Sequence, residues 1–221
     1  MTKLFTTAVL LLLTIVHLNA QDNDTIVIGT KHTLHSDQLN EEREFWVGLP
    51  DSYSEENSNK KYPVLILLDG YTHFKTVTGT VHFMSSDRNR NYFIPEMIVV
   101  AIENVDRERD LTVTKIKTKR PNTMGGGRDF LKFIEKELIP FIDENYSTEP
   151  SRILVGHSLG GLLALNSYMD ENSLFDAFIA IDPSVWWDEQ MMNEKVDSIP
   201  AKCYTKKLYL ATANQGAAKK A

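Results

Sequence analysis

Five short stretches limit what this chain can fold into: "YPVLILLDG", "EMIVVAIEN" (Glu96–Asn104), "RILVGHS", "DAFIAID" (Asp176–Asp182) and "KKLYLATA" (Lys206–Ala213). Each is apolar over most of its length and ends in a turn or a polar residue. A strand with one wet face alternates apolar and polar side chains, whereas a continuous apolar run marks a strand buried on both faces. Between these runs lie helical stretches. "GRDFLKFIEKELIPFIDENY" (Gly127–Tyr146) sets Phe130, Phe133, Ile134, Leu138 and Phe141 at helical spacing, and Pro140 is expected to kink its end. "LGGLLALNSYMD" reads as a second helix, and "EFWVGLP" (Glu44–Pro50) as a further strand before the polar turn "DSYSEENSNKK". Buried strands alternating with helices predict an α/β fold, a mainly parallel sheet with helices on both faces. Ligands in such sheets bind at the carboxyl ends of the strands.

One junction carries chemistry. Gly156-His157-Ser158-Leu159-Gly160, followed by Gly161, fits G-x-S-x-G with a strand before it and a helix after it. A sharp strand-to-helix turn forces its central serine into a strained conformation, and small residues two before and two after relieve the crowding. The new helix aims free N–H groups and a positive dipole end at Ser158. The N–H of Leu159 is then one candidate oxyanion donor. The second donor belongs on the loop after an earlier strand. Asp69-Gly70-Tyr71 is placed for it: Gly70 permits close backbone approach to substrate, and the N–H of Tyr71 is the candidate. A glycine-tight turn with an idle serine is the plainer alternative.

"LNEEREFWVGLPDSY", "YPVLILLDGYTHF", "IPEMIVVAIENVDRERDLT", "RILVGHSLGGLLAL" and "IDPSVWWDE", in this order, resemble the esterase family of α/β-hydrolases that includes esterase D, feruloyl esterases and siderophore trilactone esterases. The likeness runs from about Gly29 to Ala213 and is nearest to the bacterial siderophore-esterase-like branch. It implies carboxylic-ester hydrolysis through an acyl-enzyme, with Ser158 as nucleophile. Relatives usually read Arg-Asp-x-Thr-Pro-Thr where this chain has "RDLTVT", with Val113 in place of proline.

The base is the difficulty. In α/β-hydrolases the chain order is serine, then acid, then histidine. The six histidines here are His17, His32, His35, His73, His82 and His157, and none follows Ser158. "KKLYLATANQG" resembles the strand whose end leads to the triad acid, so the expectation is a domain over residues 21–221 cut before its last strand and helix. His157 is expected to pack beside the turn. His73 is a remote candidate base, and Asp182 a remote candidate acid or a turn-shaping residue. His82 reads as structural, and His32 and His35 make no convincing zinc site.

Several features bear on ligands and location. Trp186 and Trp187 follow a strand end on the active-site side, where they are candidates to stack on an aromatic substrate ring or to fill core. Val105–Arg120 carries Arg107, Arg109, Lys115, Lys117, Lys119 and Arg120 against three acids, and Arg109 is a candidate for drawing in an anionic substrate. The glycines of "NTMGGGRD" suggest a mobile lid, a close substrate approach or a plain connector. A formal charge of −6 argues against general nucleic-acid binding. Residues 1–20, with Lys3, an apolar run from Ala8 to Val16 and Ala20, read as a signal peptide, giving an exported protein without stable membrane insertion once cleaved. Cys203 is the only cysteine, so no internal disulfide is expected. No metal or cofactor is expected. The reading is an esterase for small-molecule esters of siderophore or aromatic type. The alternatives are a catalytically silent binding protein on the same fold and an acyltransferase.

Overall fold

The apolar runs assemble into one seven-stranded sheet in a computed structural model that describes residues 25–54, 59–86, 90–170, 173–198 and 205–213. The signal peptide read over residues 1–20 and Cys203 lie outside the described residues. The strands are β1 (Thr30–Ser36), β2 (Glu41–Gly48), β3 (Tyr62–Leu67), β4 (Ile98–Ile102), β5 (Thr148–His157), β6 (Ala177–Ile181) and β7 (Lys207–Ala211). Their order is β1-β2-β4-β3-β5-β6-β7. β1 and β2 pair antiparallel with each other, and β2 antiparallel with β4; from β4 to β7 every pairing is parallel. The α/β expectation therefore holds, and the parallel part places the carboxyl ends of β3 to β7 along one edge.

Alternation within the continuous runs decides which helix covers which face. Val64, Ile66 and Leu68 join Ile98, Val100, Ile102, Leu154 and Phe178 on one side. Leu65 and Leu67 join Val99, Ala101 and Val155 on the other, with Phe74 and Val81 of helix α1 (Gly70–Ser85). The first face also takes Phe130 and Phe133 of α3 (Gly127–Phe133), Ile139 and Ile142 of α4 (Ile139–Asn145) and Leu162, Leu163 and Leu165 of α5 (Leu159–Tyr168). Each such aliphatic or aromatic side chain contributes about 1.5–3 kcal/mol when fully buried, which is why both faces must be covered. A short helix α2 (Arg107–Leu111) follows β4, and α6 (Trp187–Ser198), broken near its start where Asp188, Glu189 and Gln190 take positive φ, follows β6.

Two elements differ from expectation. The long helix is bent through a π turn, Ile134–Leu138, between α3 and α4. The Ile139 N–H reaches back five residues to the Ile134 carbonyl, and Pro140 sits in the first turn of α4, where its missing N–H leaves no bond unmade. The bend thus falls before the proline. The second difference is β7. Its sequence resembles the doubly buried strands, but Leu208, Tyr209 and Leu210 are exposed. It pairs with β6 alone, and among the described residues no helix covers it.

A buried charge network ties the antiparallel corner to the parallel sheet. Arg43 on β2 is fully buried. It donates to Asp110 Oδ2 at 2.8 Å, to Glu41 Oε1 at 2.8 Å and to the Glu103 carbonyl at 3.1 Å. Its guanidinium lies 5.0 Å from the centre of the Phe130 ring. Asp110, also fully buried, accepts in turn from Arg109 Nε at 2.7 Å.

Candidate active site

β5 ends in a turn where the backbone does something unusual. Ser158 has φ 56° and ψ −117°, a region that side chains other than glycine rarely occupy. The strain is held by its surroundings. The Ser158 N–H donates to the Ile181 carbonyl of β6 at 3.0 Å, and its own carbonyl accepts from Leu162 at 2.9 Å and from Ser184 at 3.0 Å. Glycine is required two residues earlier: a Cβ at Gly156 would lie 2.2 Å from the Gly160 carbonyl oxygen. A side chain at Gly161 would press on Pro183 and the Ile181 carbonyl. Gly156→Ala should therefore lower stability by about 3 kcal/mol, the upper end of ordinary overpacking, because backbone blocks the methyl. A urea midpoint equal to that of the wild type would show the turn to be looser than this.

The elbow sits where the strand order reverses. β3 leads through α1 to β4 on one side, and β5 leads through α5 to β6 on the other. Open α/β sheets bind ligands at such a switch point. The loop after β3 lies beside it: a Cβ at Gly160 would come within 3.3 Å of Asp69 Oδ2 and of Leu68 Cβ. Asp69 has φ 56° and starts α1 at once, so Asp69-Gly70-Tyr71 is a helix start and not the open loop read from sequence. Its carbonyl accepts from Thr72 and His73, while the N–H of Tyr71, in the first turn, falls outside the helical ladder. The N–H of Leu159, first residue of α5, stands likewise. Gly70 is needed for a different reason from the one expected: a Cβ there would strike the Ile102 carbonyl at 2.7 Å, so its close approach is to β4.

The buried Asp69 carboxylate is neutralised by groups that sequence reasoning left unassigned. Arg107 grips it with Nε to Oδ1 at 2.6 Å and Nη2 to Oδ2 at 2.9 Å, and Asn104 Nδ2 donates to Oδ1 at 2.6 Å. The carboxylate in turn raises the Arg107 pKa above its ordinary value. The bidentate pair leaves no unpaired anion beside the elbow. Nothing local joins residues 69 and 107, so only the proximity of the β3 and β4 ends reveals them.

Other candidates move. Arg109 is not free to draw in substrate: its guanidinium donates to Glu41 at 2.9 and 2.5 Å and to Asp110, and it holds Glu41 below the usual carboxylate range. Trp187 is core, 5% exposed, whereas Trp186 beside it is 64% exposed. The glycine run is packed and not a lid: the N–H groups of Gly125, Gly126 and Gly127 bond to Thr112 Oγ1, the Arg109 carbonyl and the Thr112 carbonyl. Val113 lies partly buried against the core in that same connection. Asp182 shapes its turn, bonding through its N–H to the Ala211 carbonyl and through Oδ1 to the Ala213 N–H. His32 stacks on Phe45 and bonds to the Tyr146 hydroxyl, with its pKa lowered by burial. His82 is on α1, 3.5 Å from Asp51. His73 and His157 face each other edge to face, ring centres 5.6 Å apart.

The residue that sequence reasoning missed nearest Ser158 is Ser184. Its Oγ lies 3.1 Å from Ser158 Oγ, and either hydroxyl can donate. Among the described residues no group of three or more His, Cys, Asp or Glu could hold a metal ion, and no helix is long and apolar enough to cross a membrane. A cavity of about 750 Å³ lined by Gly48, Thr78, Glu96 and Met97 opens at the opposite end, by the start of β4, away from Ser158.

A mixed sheet with this strand order, covered by helices on both faces and turned into a glycine-framed serine elbow, is the α/β-hydrolase fold. Residues 36–211 match the model of the family described as "Putative esterase", and the chain belongs to that family. It is 32% identical over 151 residues to the ferri-bacillibactin esterase of Bacillus subtilis, covering 62% of this chain and 52% of that protein. It is 29% identical over 163 residues to a siderophore enterobactin esterase of Emericella nidulans, covering 65% of this chain and 54% of that one. An IroE-like serine hydrolase from Shewanella oneidensis superposes with a TM-score of 0.71 at 35% identity, over 76% of this chain and 55% of that one. The chain thus spans about half the length of the curated relatives it matches.

Proposed function

We propose that this chain carries the nucleophile of a serine esterase acting on siderophore-type esters. The observation that supports it most directly is the backbone of Ser158, strained at φ 56° between β5 and α5 and framed by glycines. In this reading Ser158 Oγ attacks the ester carbonyl, the N–H groups of Leu159 and Tyr71 receive the developing oxyanion, and the tetrahedral intermediate collapses to an acyl-enzyme as the alcohol leaves with the serine's proton; water then opens the acyl-enzyme to the acid and restores the hydroxyl. Exposed Trp186 offers an indole face to an aromatic acyl group. The Asp69–Arg107 pair holds the helix start that bears Tyr71. The siderophore assignment rests on what the relatives act on; the fold alone would support many esters.

A catalytically silent binding protein is the second reading. It is favoured by one observation: the side-chain partner of Ser158 Oγ is a hydroxyl, Ser184, and not an imidazole. A fluorophosphonate probe separates the two. Ser158-dependent labelling, slow because no histidine follows the nucleophile and absent from Ser158→Ala, is the expected result. A folded protein that never labels would favour the silent reading.

A further inference from the structure

We infer that Ser184 is a positioning residue for the nucleophile, an inference that rests on Ser158 being that nucleophile. Ser184 lies in "DPSVWW", directly after β6, and is 3% exposed. Two contacts bind it to Ser158: its N–H donates to the Ser158 carbonyl at 3.0 Å, and the two Oγ atoms are 3.1 Å apart. A third contact fixes its own place, because its carbonyl accepts from the Trp187 N–H at 3.0 Å, and Trp187 is buried in the core. Pro183 packs against Gly161 of α5. The elbow and the turn after β6 are thus one rigid unit, with a hydroxyl built against the reacting oxygen.

A hydroxyl cannot serve as base near neutral pH. What it can do is select a side-chain rotamer. An exposed serine samples three staggered positions; the Ser184 contact favours one of them, which aims Oγ consistently from the elbow. Ser184 keeps its own proton throughout. When it donates, it leaves the Ser158 proton free for transfer and stabilises charge gathering on that oxygen. Trp187 therefore acts at one remove: its burial locks the turn that carries Ser184.

The test compares the full chain with Ser184→Ala and Ser184→Thr. The first reading is the saturation curve of fluorophosphonate labelling. Ser184→Ala is expected to lower the limiting labelling rate by about three- to tenfold, the worth of one ordinary hydrogen bond, with the half-saturating probe concentration unchanged. Ser184→Thr, which keeps the hydroxyl, is expected to recover most of the rate. The second reading needs no reactivity: thermal midpoints of Ser158→Ala, Ser184→Ala and the double variant are expected to be non-additive. A wild-type rate in Ser184→Ala overturns the positioning role and leaves Ser158 as nucleophile. A slowed rate with additive midpoints overturns it in favour of a general loosening of the turn. No labelling of the wild type, even with coupled midpoints, removes the nucleophile and the positioning role with it.

Discussion

Hydrolysis of p-nitrophenyl butyrate by these 221 residues is expected to run about 10⁴-fold slower than by the ferri-bacillibactin esterase of Bacillus subtilis, the cost of a missing triad member. The reason is chemical. A serine hydroxyl must lose its proton as it attacks, and the family places the accepting histidine after the nucleophile. No histidine follows Ser158 here. Its Oγ meets Ser184, which cannot take a proton. Under the proposed function, the oxyanion donors of α5 and α1 and substrate binding are what would remain. Such remnants sustain slow turnover above water. Initial rates at pH 8, with Ser158→Ala as the blank, measure it. A rate within tenfold of the Bacillus enzyme would mean that a base is already in reach. The facing rings of His73 and His157 would then be substituted in turn, since both lie beside the elbow.

Asp110→Ala is expected to destabilise the fold by about 3 kcal/mol, within the range for breaking a buried ion pair. Asp110 and Arg43 are both fully buried and 2.8 Å apart. Removing the carboxylate leaves a guanidinium that cannot lose its proton in a dry site between β2 and α3. Glu41 continues to pair with Arg43, but Arg109 shares it, so compensation is partial. The loss therefore falls at the lower end of the range and not near zero. Replacing both partners, as Arg43→Met with Asp110→Leu, is expected to restore much of it, because no charge is then left unpaired. Urea unfolding of the two variants reads both effects. A cost below about 1 kcal/mol for Asp110→Ala would mean that water reaches the pair.

The arginines show where sequence reading stopped. Six basic residues in sixteen suggested an attractive rim. Folded, Arg107 belongs to Asp69 and Arg109 to Glu41 and Asp110, while Lys115, Lys117, Lys119 and Arg120 are exposed. A charge run states how many charges there are and not which of them find partners tens of residues away. The tryptophans divide for a similar reason. Adjacent side chains leave a turn in different directions, and only the packing of α6 onto the sheet settles that Trp187 is inside. The π turn before Pro140 was foreseeable as a bend, but its position depends on which carbonyls the backbone can still satisfy.

By itself the sequence determined the five parallel strands, the covering helices and the serine elbow. Each rests on local physics: continuous apolar runs make strands, helical spacing makes an apolar stripe, and a serine between a strand and a helix needs glycines to fit. The tertiary structure alone decided that Arg107 neutralises Asp69, that Ser184 touches Ser158, and that Leu208, Tyr209 and Leu210 of β7, despite its apolar sequence, are exposed. Those facts depend on strand order and on the meeting of loops from different strand ends. No local pattern encodes that meeting, because the residues involved are neighbours only after the sheet has formed.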